Sequence, residues 1–432
     1  MKQINVLYDA ATLFDSNKSM TSRTGIFWCA YNILKQFKNN SLFNIKLLIP
    51  PHIFLLKRHE LDIFLSSFPK IIQFDRIKYK RNLNVHLFFL KTENKIFNKF
   101  IRLVKIFKNI FMLFLSYICI PSIKNIDIYF SPAYTVPEFI NKKNKIKAFQ
   151  FLHDSIPFLD NLGYNNKLKP DHWLNESANN LNKDTYYFCN SECTKNDYLN
   201  LFPDKIDKNK IFTTFISSSQ IFFPDYDKLK LKNILLKYKI ELKPGDSYIF
   251  SLCSIDPRKN LIFTIKCFLE FICKNNINNL YFFLGGTHFP DYINEFLNEI
   301  SAFKEYHDRI IQLGYVNDED VNILYSNSYF FTFLSQYEGF GMPVLEAMQA
   351  GTSVICSNNS SLPEVSGDAA ISINYNDEEA CIKAFGDFYF NEDLRNEYIR
   401  RGIERAKLFS WEKTFAIMNE KIQNILLLKS KE

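Results

Sequence analysis

The stretch Glu338-Gly339-Phe340-Gly341-Met342-Pro343-Val344-Leu345-Glu346 sets two carboxylates around two glycines and a proline. It follows the apolar run Phe330–Leu334, so it leaves the carboxyl end of a strand and enters a helix. Doubly wound proteins bind their ligands at such places. Pro343 suits the first turn of the helix. Gly339 and Gly341 let the loop backbone approach a ligand closely. The helix amino end offers N–H groups and a partial positive charge, which suit a phosphate. Glu346 is expected on the first turn, where it can accept bonds from ribose hydroxyls. Glu338 is expected in the preceding loop, within reach of a sugar.

Other chemistry-bearing residues also follow apolar runs. Arg258-Lys259 comes after Tyr248–Cys253, and His153-Asp154 after Ile146–Leu152. Arg is bidentate to phosphate, and Lys adds a point charge. Gly25 opens the first helical pattern, which runs through Phe27, Tyr31, Leu34 and Phe37. That helix end can face a phosphate or an acceptor.

These positions need strands that stop at one edge. Short apolar runs alternate with helical patterns along the chain: Ile4–Tyr8, Ile45–Ile49, Ile126–Phe130, Tyr186–Cys189, Ile211–Phe215, Leu280–Leu284, Ile310–Leu313 and Ser353–Cys356, besides those above. Continuous apolar strands separated by helices indicate α/β architecture with parallel sheets covered on both faces. At 432 residues the chain is long enough for two or three domains. A Ser-Ser-Ser run at 217–219, then Pro224 and a Lys-rich helical stretch, place a boundary near 225. The expectation is two doubly wound domains, 1–224 and 225–409.

Glycine is scarce, 12 in all, and seven lie from Gly285 to Gly367, so that segment needs its backbone freedom. The net charge of +7 fits an acidic small molecule or a membrane surface better than nucleic acid. Nine cysteines without a CxxC argue against a disulfide framework or a zinc site, and for a reducing cytosol. The amino terminus lacks a signal-peptide pattern. The longest apolar run, Ile110 to Pro121, is too short to span a bilayer. In 91–120, Lys91, Lys95, Lys99, Arg102, Lys105 and Lys108 alternate with apolar residues. This is the pattern of a peripheral membrane-surface helix, but a charge run of this kind is more commonly the solvated face of an ordinary surface helix.

The stretch Tyr337 to Leu345, with Ala350-Gly351-Thr352 and Ser360-Ser361-Leu362-Pro363-Glu364-Val365, resembles the GT4 family of retaining glycosyltransferases. So do Arg23-Thr24-Gly25-Ile26, His153-Asp154-Ser155-Ile156-Pro157, Ser191-Glu192-Cys193-Thr194-Lys195, Pro257-Arg258-Lys259-Asn260 and Phe409-Ser410-Trp411-Glu412. The resemblance covers nearly the whole chain, weakly at 50–125. It implies a GT-B fold: two Rossmann-like doubly wound domains facing a central cleft, the second binding a nucleotide-sugar donor, with C-terminal helices at about 410–432 packing back on the first.

It also implies roles. Arg258 and Lys259 hold the donor diphosphate. His153 meets the donor sugar. Glu338 binds sugar hydroxyls and is not a nucleophile. Gly25, Gly339, Phe340, Gly341, Met342, Pro343 and Glu346 contact the donor, and Val316 meets the base through its backbone. Gly285-Gly286 marks close packing at the cleft. Trp411 anchors the last helices. The implied reaction is transfer of a sugar from the nucleotide donor, with retention and without metal or cofactor. The membrane-helix pattern of 91–120 and the A/T-rich composition, not the resemblance, point to a glycan or lipid-linked glycan of a cell surface as acceptor and to a cytoplasmic protein at the inner membrane face. A nucleotide-sugar epimerase and an inactive assembly partner remain alternatives.

Overall fold

The computed structural model describes residues 3–14, 25–48, 125–141, 145–159, 173–254, 256–286 and 301–429. The basic segment 91–120 and the Arg23-Thr24 pair lie outside them.

Six strands form the first sheet: β1 (Ile4–Asp9), β2 (Phe43–Leu48), β3 (Ile128–Ser131), β4 (Lys147–Leu152), β5 (Tyr186–Cys189) and β6 (Ile211–Thr213). Their order is β2-β1-β3-β4-β5-β6, with every pairing parallel. The second sheet holds β7 (Ser247–Leu252), β8 (Leu280–Gly285), β9 (Ile310–Gly314), β10 (Phe331–Phe333), β11 (Val354–Ser357) and β12 (Ile371–Ile373). Its order is β12-β11-β10-β7-β8-β9, again parallel. Burial on both faces explains the apolar runs. In β4, Ala148, Phe149, Gln150, Phe151 and Leu152 are all buried. The edge strand β12 escaped the sequence reading because Ile-Ser-Ile is short and exposes Ser372.

Each sheet reverses direction once. The chain steps outward from β1 to β2 and returns beside β1 with β3. In the second sheet it steps out through β8 and β9 and returns beside β7 with β10. Such reversals leave a crevice at the strands' carboxyl ends. The β7–β10 crevice receives both Arg258-Lys259 and the Glu338 loop.

The helix Gly25–Asn39 buries Phe27, Ala30, Ile33, Leu34 and Phe37, a helical spacing that covers the first sheet. The helix Lys228–Lys237 belongs with the second sheet. Its Lys237 Nζ lies 2.5 Å from Asp320 Oδ2, on the helix Asp318–Asn327, and Tyr238 donates to the same oxygen at 3.0 Å.

The last helix, Trp411–Lys429, crosses back to the first domain. Its Phe415 ring lies 4.9 Å from Phe37 and 5.8 Å from Phe43. Thr414 Oγ1 donates to the Phe215 carbonyl at 2.6 Å, and Trp411 Nε1 to the Ser218 carbonyl at 3.2 Å. The buried Phe415 joins two halves of the chain through ring packing. Phe415→Ala should therefore destabilise the protein by about 3 kcal/mol or more in a denaturant titration. A loss below about 1 kcal/mol would mean that this crossing does not bind the halves together.

Candidate active site

Glu338 sits on the loop after β10, nearly out of water. Its Oε1 lies 2.6 Å from Lys259 Nζ and 2.9 Å from an Arg258 terminal nitrogen. Burial works to raise the Glu338 carboxyl, but the Lys259 and Arg258 cations outweigh it and hold the group below the usual carboxylate range. Both cations come from a single turn, Pro257–Lys259, just past β7. Asp256 caps that turn by accepting from Arg258 N at 2.9 Å. Asn260, in the left-handed region at φ 58°, redirects the chain into the helix Leu261–Lys274.

The two loops are stitched together by backbone. Gln336 N donates to the Arg258 carbonyl at 2.7 Å, and the Arg258 guanidinium donates to the Tyr337 carbonyl. Ser360 Oγ accepts from Glu338 N at 3.0 Å, and Ser361 Oγ donates to the Glu338 carbonyl at 2.9 Å. Lys259 Nζ also stands 5.0 Å over the Phe333 ring.

The glycines of the loop serve packing more directly than ligand approach. A Cβ at Gly339 would lie 2.8 Å from the His153 carbonyl oxygen and 2.6 Å from Asp154 Cβ. The neighbour that comes close is thus the first domain. Gly341 has φ 108°, and a Cβ there would meet Leu362 Cδ2 at 2.6 Å. Phe340 is buried against Phe409, 5.9 Å between centroids, so its ring is core. Met342 and Pro343 open the helix Met342–Gln349, and both are partly buried.

Glu346 lies one turn later than the sequence suggested. The helix begins at Met342, so Glu346 falls on its second turn. There it accepts from Tyr325 Oη at 3.2 Å. Burial pushes its carboxyl up to about 7, against the Tyr325 hydrogen bond.

His153 follows β4 and lines the cleft. Its Nε2 lies 2.7 Å from the Pro132 carbonyl oxygen, which accepts only, so Nε2 carries the proton and Nδ1 is an acceptor. Burial lowers the imidazole to about 4, more than that hydrogen bond raises it. Asp154 is pushed up by burial and held back by Arg258. A cleft of about 250 Å³ runs between the domains, lined by His153, Asp154, Ile26 and Trp173 from the first and Asp256 and Arg258 from the second.

The remaining candidates lie around this centre. Gly25 starts its helix in open surroundings, and a Cβ there meets nothing within 4 Å. Val316 buries its side chain, with Cγ2 3.1 Å from where a Cβ of Gly285 would stand. Sequence reasoning missed Asp256, Ser360 and Trp173 as site residues. Asp before Pro-Arg is a readable capping signal. Trp173 gives no such signal, because only the fold brings it to His153.

Two doubly wound domains of parallel strands, each with a crevice at the carboxyl ends of its strands, define a GT-B fold. Residues 235–405, which carry the second sheet, match the family described as glycosyl transferases group 1. Among solved structures the fold is similar to sucrose-phosphate synthase from Thermosynechococcus elongatus, with TM-score 0.63 and 14% identity over 99% of this chain and 100% of that one. It is also similar to Anabaena Alr3699/HepE in complex with UDP and glucose, with TM-score 0.61 and 11% identity over 98% of this chain and 100% of that one. In sequence, the chain is 31% identical over 222 residues to O-antigen chain mannosyltransferase B of Escherichia coli, covering 51% of this chain and 56% of that protein. It is 27% identical over 203 residues to the serotype-specific mannosyltransferase WbdA of Escherichia coli, 47% of this chain and 24% of that one. The matches thus span about half of the first relative and a quarter of the second.

Two titrations test the site. His153 should stay neutral, with its proton on Nε2, from pH 8 down to about 5 in nitrogen-resolved NMR spectra; an imidazolium at pH 6 would contradict its burial. Glu346, raised from 4.5 to about 7, keeps its proton longer in the folded chain than in the unfolded one. Its contribution to stability is therefore full below pH 4.5 and is lost as pH rises towards 7. Relative to Glu346→Gln, the wild type should lose up to about 3 kcal/mol across that window. A pH-independent difference would show that Glu346 is not desolvated.

Proposed function

We propose that this chain is a glycosyltransferase that moves a sugar from a nucleotide-sugar donor to a hydroxyl of a glycan or lipid-linked glycan in surface polysaccharide synthesis. The observation that carries this reading is the Arg258–Lys259–Glu338 cluster at the β7–β10 crevice, whose Arg258 lines the cleft together with His153. The O-antigen mannosyltransferase relatives support a hexosyl donor, with a mannose-bearing one to be tried first.

The donor diphosphate lies against Arg258 and Lys259. Breaking the bond to the sugar leaves a nucleoside diphosphate with growing negative charge, and fixed cations stabilise it without reorganising. These two cations supply the charge that a divalent ion provides elsewhere, so transfer is metal-independent. Glu338 is held ionised by the same cations. It orients them and accepts from sugar hydroxyls, while Nδ1 of neutral His153 accepts from another. Neither group is poised as a covalent nucleophile: Glu338 is committed to two cations, and His153 donates to Pro132. Transfer then proceeds on one face of the sugar, with the departing phosphate taking the acceptor proton, and the configuration is retained. Glu346 receives the ribose hydroxyls. The protein works from the cytoplasmic face of the membrane, with 91–120 as its peripheral contact.

The test is nucleoside diphosphate release and product formation over a panel of GDP-, UDP- and dTDP-sugars. Release from one donor, about a hundredfold slower or more in Lys259→Ala and unchanged by EDTA, is the expected result. Interconversion of a nucleotide sugar without acceptor would make the protein an epimerase. No release and no thermal stabilisation by any donor would make it an inactive partner. Reversible loss with EDTA would overturn metal independence.

A further inference from the structure

Two sequence motifs play no part in the chemistry above: Ser191-Glu192-Cys193-Thr194-Lys195 in the first domain, and Ser361-Leu362-Pro363-Glu364-Val365 in the second. The fold joins them. The Glu364 carboxylate accepts from Glu192 N and Cys193 N, each at 2.7 Å, so it caps the helix Glu192–Leu201 from the opposite domain. Two free N–H groups at a helix amino end are matched by two carboxylate oxygens, and the helix dipole adds to the attraction. Ser191 Oγ and Thr194 Oγ1 donate to the Gly339 carbonyl at 2.7 and 3.1 Å. One turn along, Asp197 lies 2.8 and 2.9 Å from Tyr337 Oη, and Ser155 Oγ donates to it at 2.6 Å. The residues bound on the second domain, Tyr337 and Gly339, flank Glu338 on both sides.

The same helix region also holds the first domain's half of the site. Asn190 Nδ2 donates to the His153 carbonyl at 2.5 Å, and Tyr198 Oη to the Asp154 carbonyl at 3.0 Å. Glu364 is itself fixed from behind: Arg405 donates through Nη2 to the Glu364 carbonyl at 2.6 Å and through Nε to the Val365 carbonyl at 3.0 Å.

We infer that Glu364, Tyr337 and Asp197 are positioning residues that clasp the helix Glu192–Leu201 onto the glutamate loop, setting His153 against Glu338. The inference rests on the transferase reading for its kinetic consequence, but the clasp has a readout of its own. In that reading Arg258 and Lys259 of the second domain hold the donor diphosphate, so loosening the clasp costs donor binding little and impairs chiefly the step that needs His153 set against Glu338.

The experiment measures amide hydrogen exchange over 190–197 and steady-state transfer in the full-length wild type, Glu364→Ala, Glu364→Gln and Tyr337→Phe. Losing a carboxylate that serves two N–H groups should speed exchange at 192 and 193 by about tenfold or more. The transfer kcat should fall about as much, with the donor KM within about twofold of wild type. Glu364→Gln, which keeps one acceptor oxygen, should fall between. Tyr337→Phe keeps the ring and loses only the Asp197 bond. It carries the same kinetic expectation if Glu364→Ala fails to fold. Unchanged exchange in a folded Glu364→Ala overturns the clasp. Faster exchange with unchanged kcat overturns the positioning role. A wild type inactive with every donor overturns the transferase reading and the positioning role with it, while the exchange result still decides the clasp.

Discussion

A carboxylate can leave water only in company. Removing it alone costs several kcal/mol, and breaking a buried pair from one side costs about 3–5 kcal/mol. Glu338 is held out of water because Lys259 and Arg258 reach the same oxygen from the neighbouring strand end. Much else follows from that need. The cations must sit on one tight turn, which Asp256 caps and Asn260 closes. The strands bearing the two loops must be neighbours although β8 and β9 intervene in the chain, which requires the reversal of strand order between β7 and β10.

The neighbouring glutamate shows what the same residue becomes without such company. Glu346 faces a tyrosine hydroxyl instead of a cation, and burial raises it to about 7 while Glu338 is held low. The environments of the two groups push their proton affinities apart, as they do wherever one site needs two carboxyls in different states. His153 follows the same logic with opposite sign: burial disfavours its charged form, and a backbone carbonyl fixes the tautomer.

The two domains meet where side chains are absent. Gly339 has no room for a Cβ because the His153–Asp154 backbone fills the space. A glycine in this loop therefore serves the contact between domains as well as the loop's own path. The hydroxyls of Ser191 and Thr194 convert that close approach into hydrogen bonds to the Gly339 carbonyl. On the far side, the Trp411–Lys429 helix ties the halves together by ring packing and by the hydrogen bonds of Trp411 and Thr414.

The sequence alone determined the alternation of strands and helices and the strand ends that bear His153, Arg258, Lys259 and Glu338. Local apolar runs and turn residues are enough for this, because a doubly buried strand announces itself in composition. Its reach was shorter wherever a partner is distant in the chain. The second-turn position of Glu346, the core role of Phe340 and the steric reason for Gly339 depended on where the helix began and what stood opposite. The capping signal of Asp256 was there to be read, whereas the neighbour Trp173, the edge strand β12 and the cap that Glu364 places on a helix some 170 residues away left no mark in any local pattern. The tertiary structure decided these, because burial, proton affinity and close approach are properties of a residue's surroundings, and those surroundings are assembled from both halves of the chain.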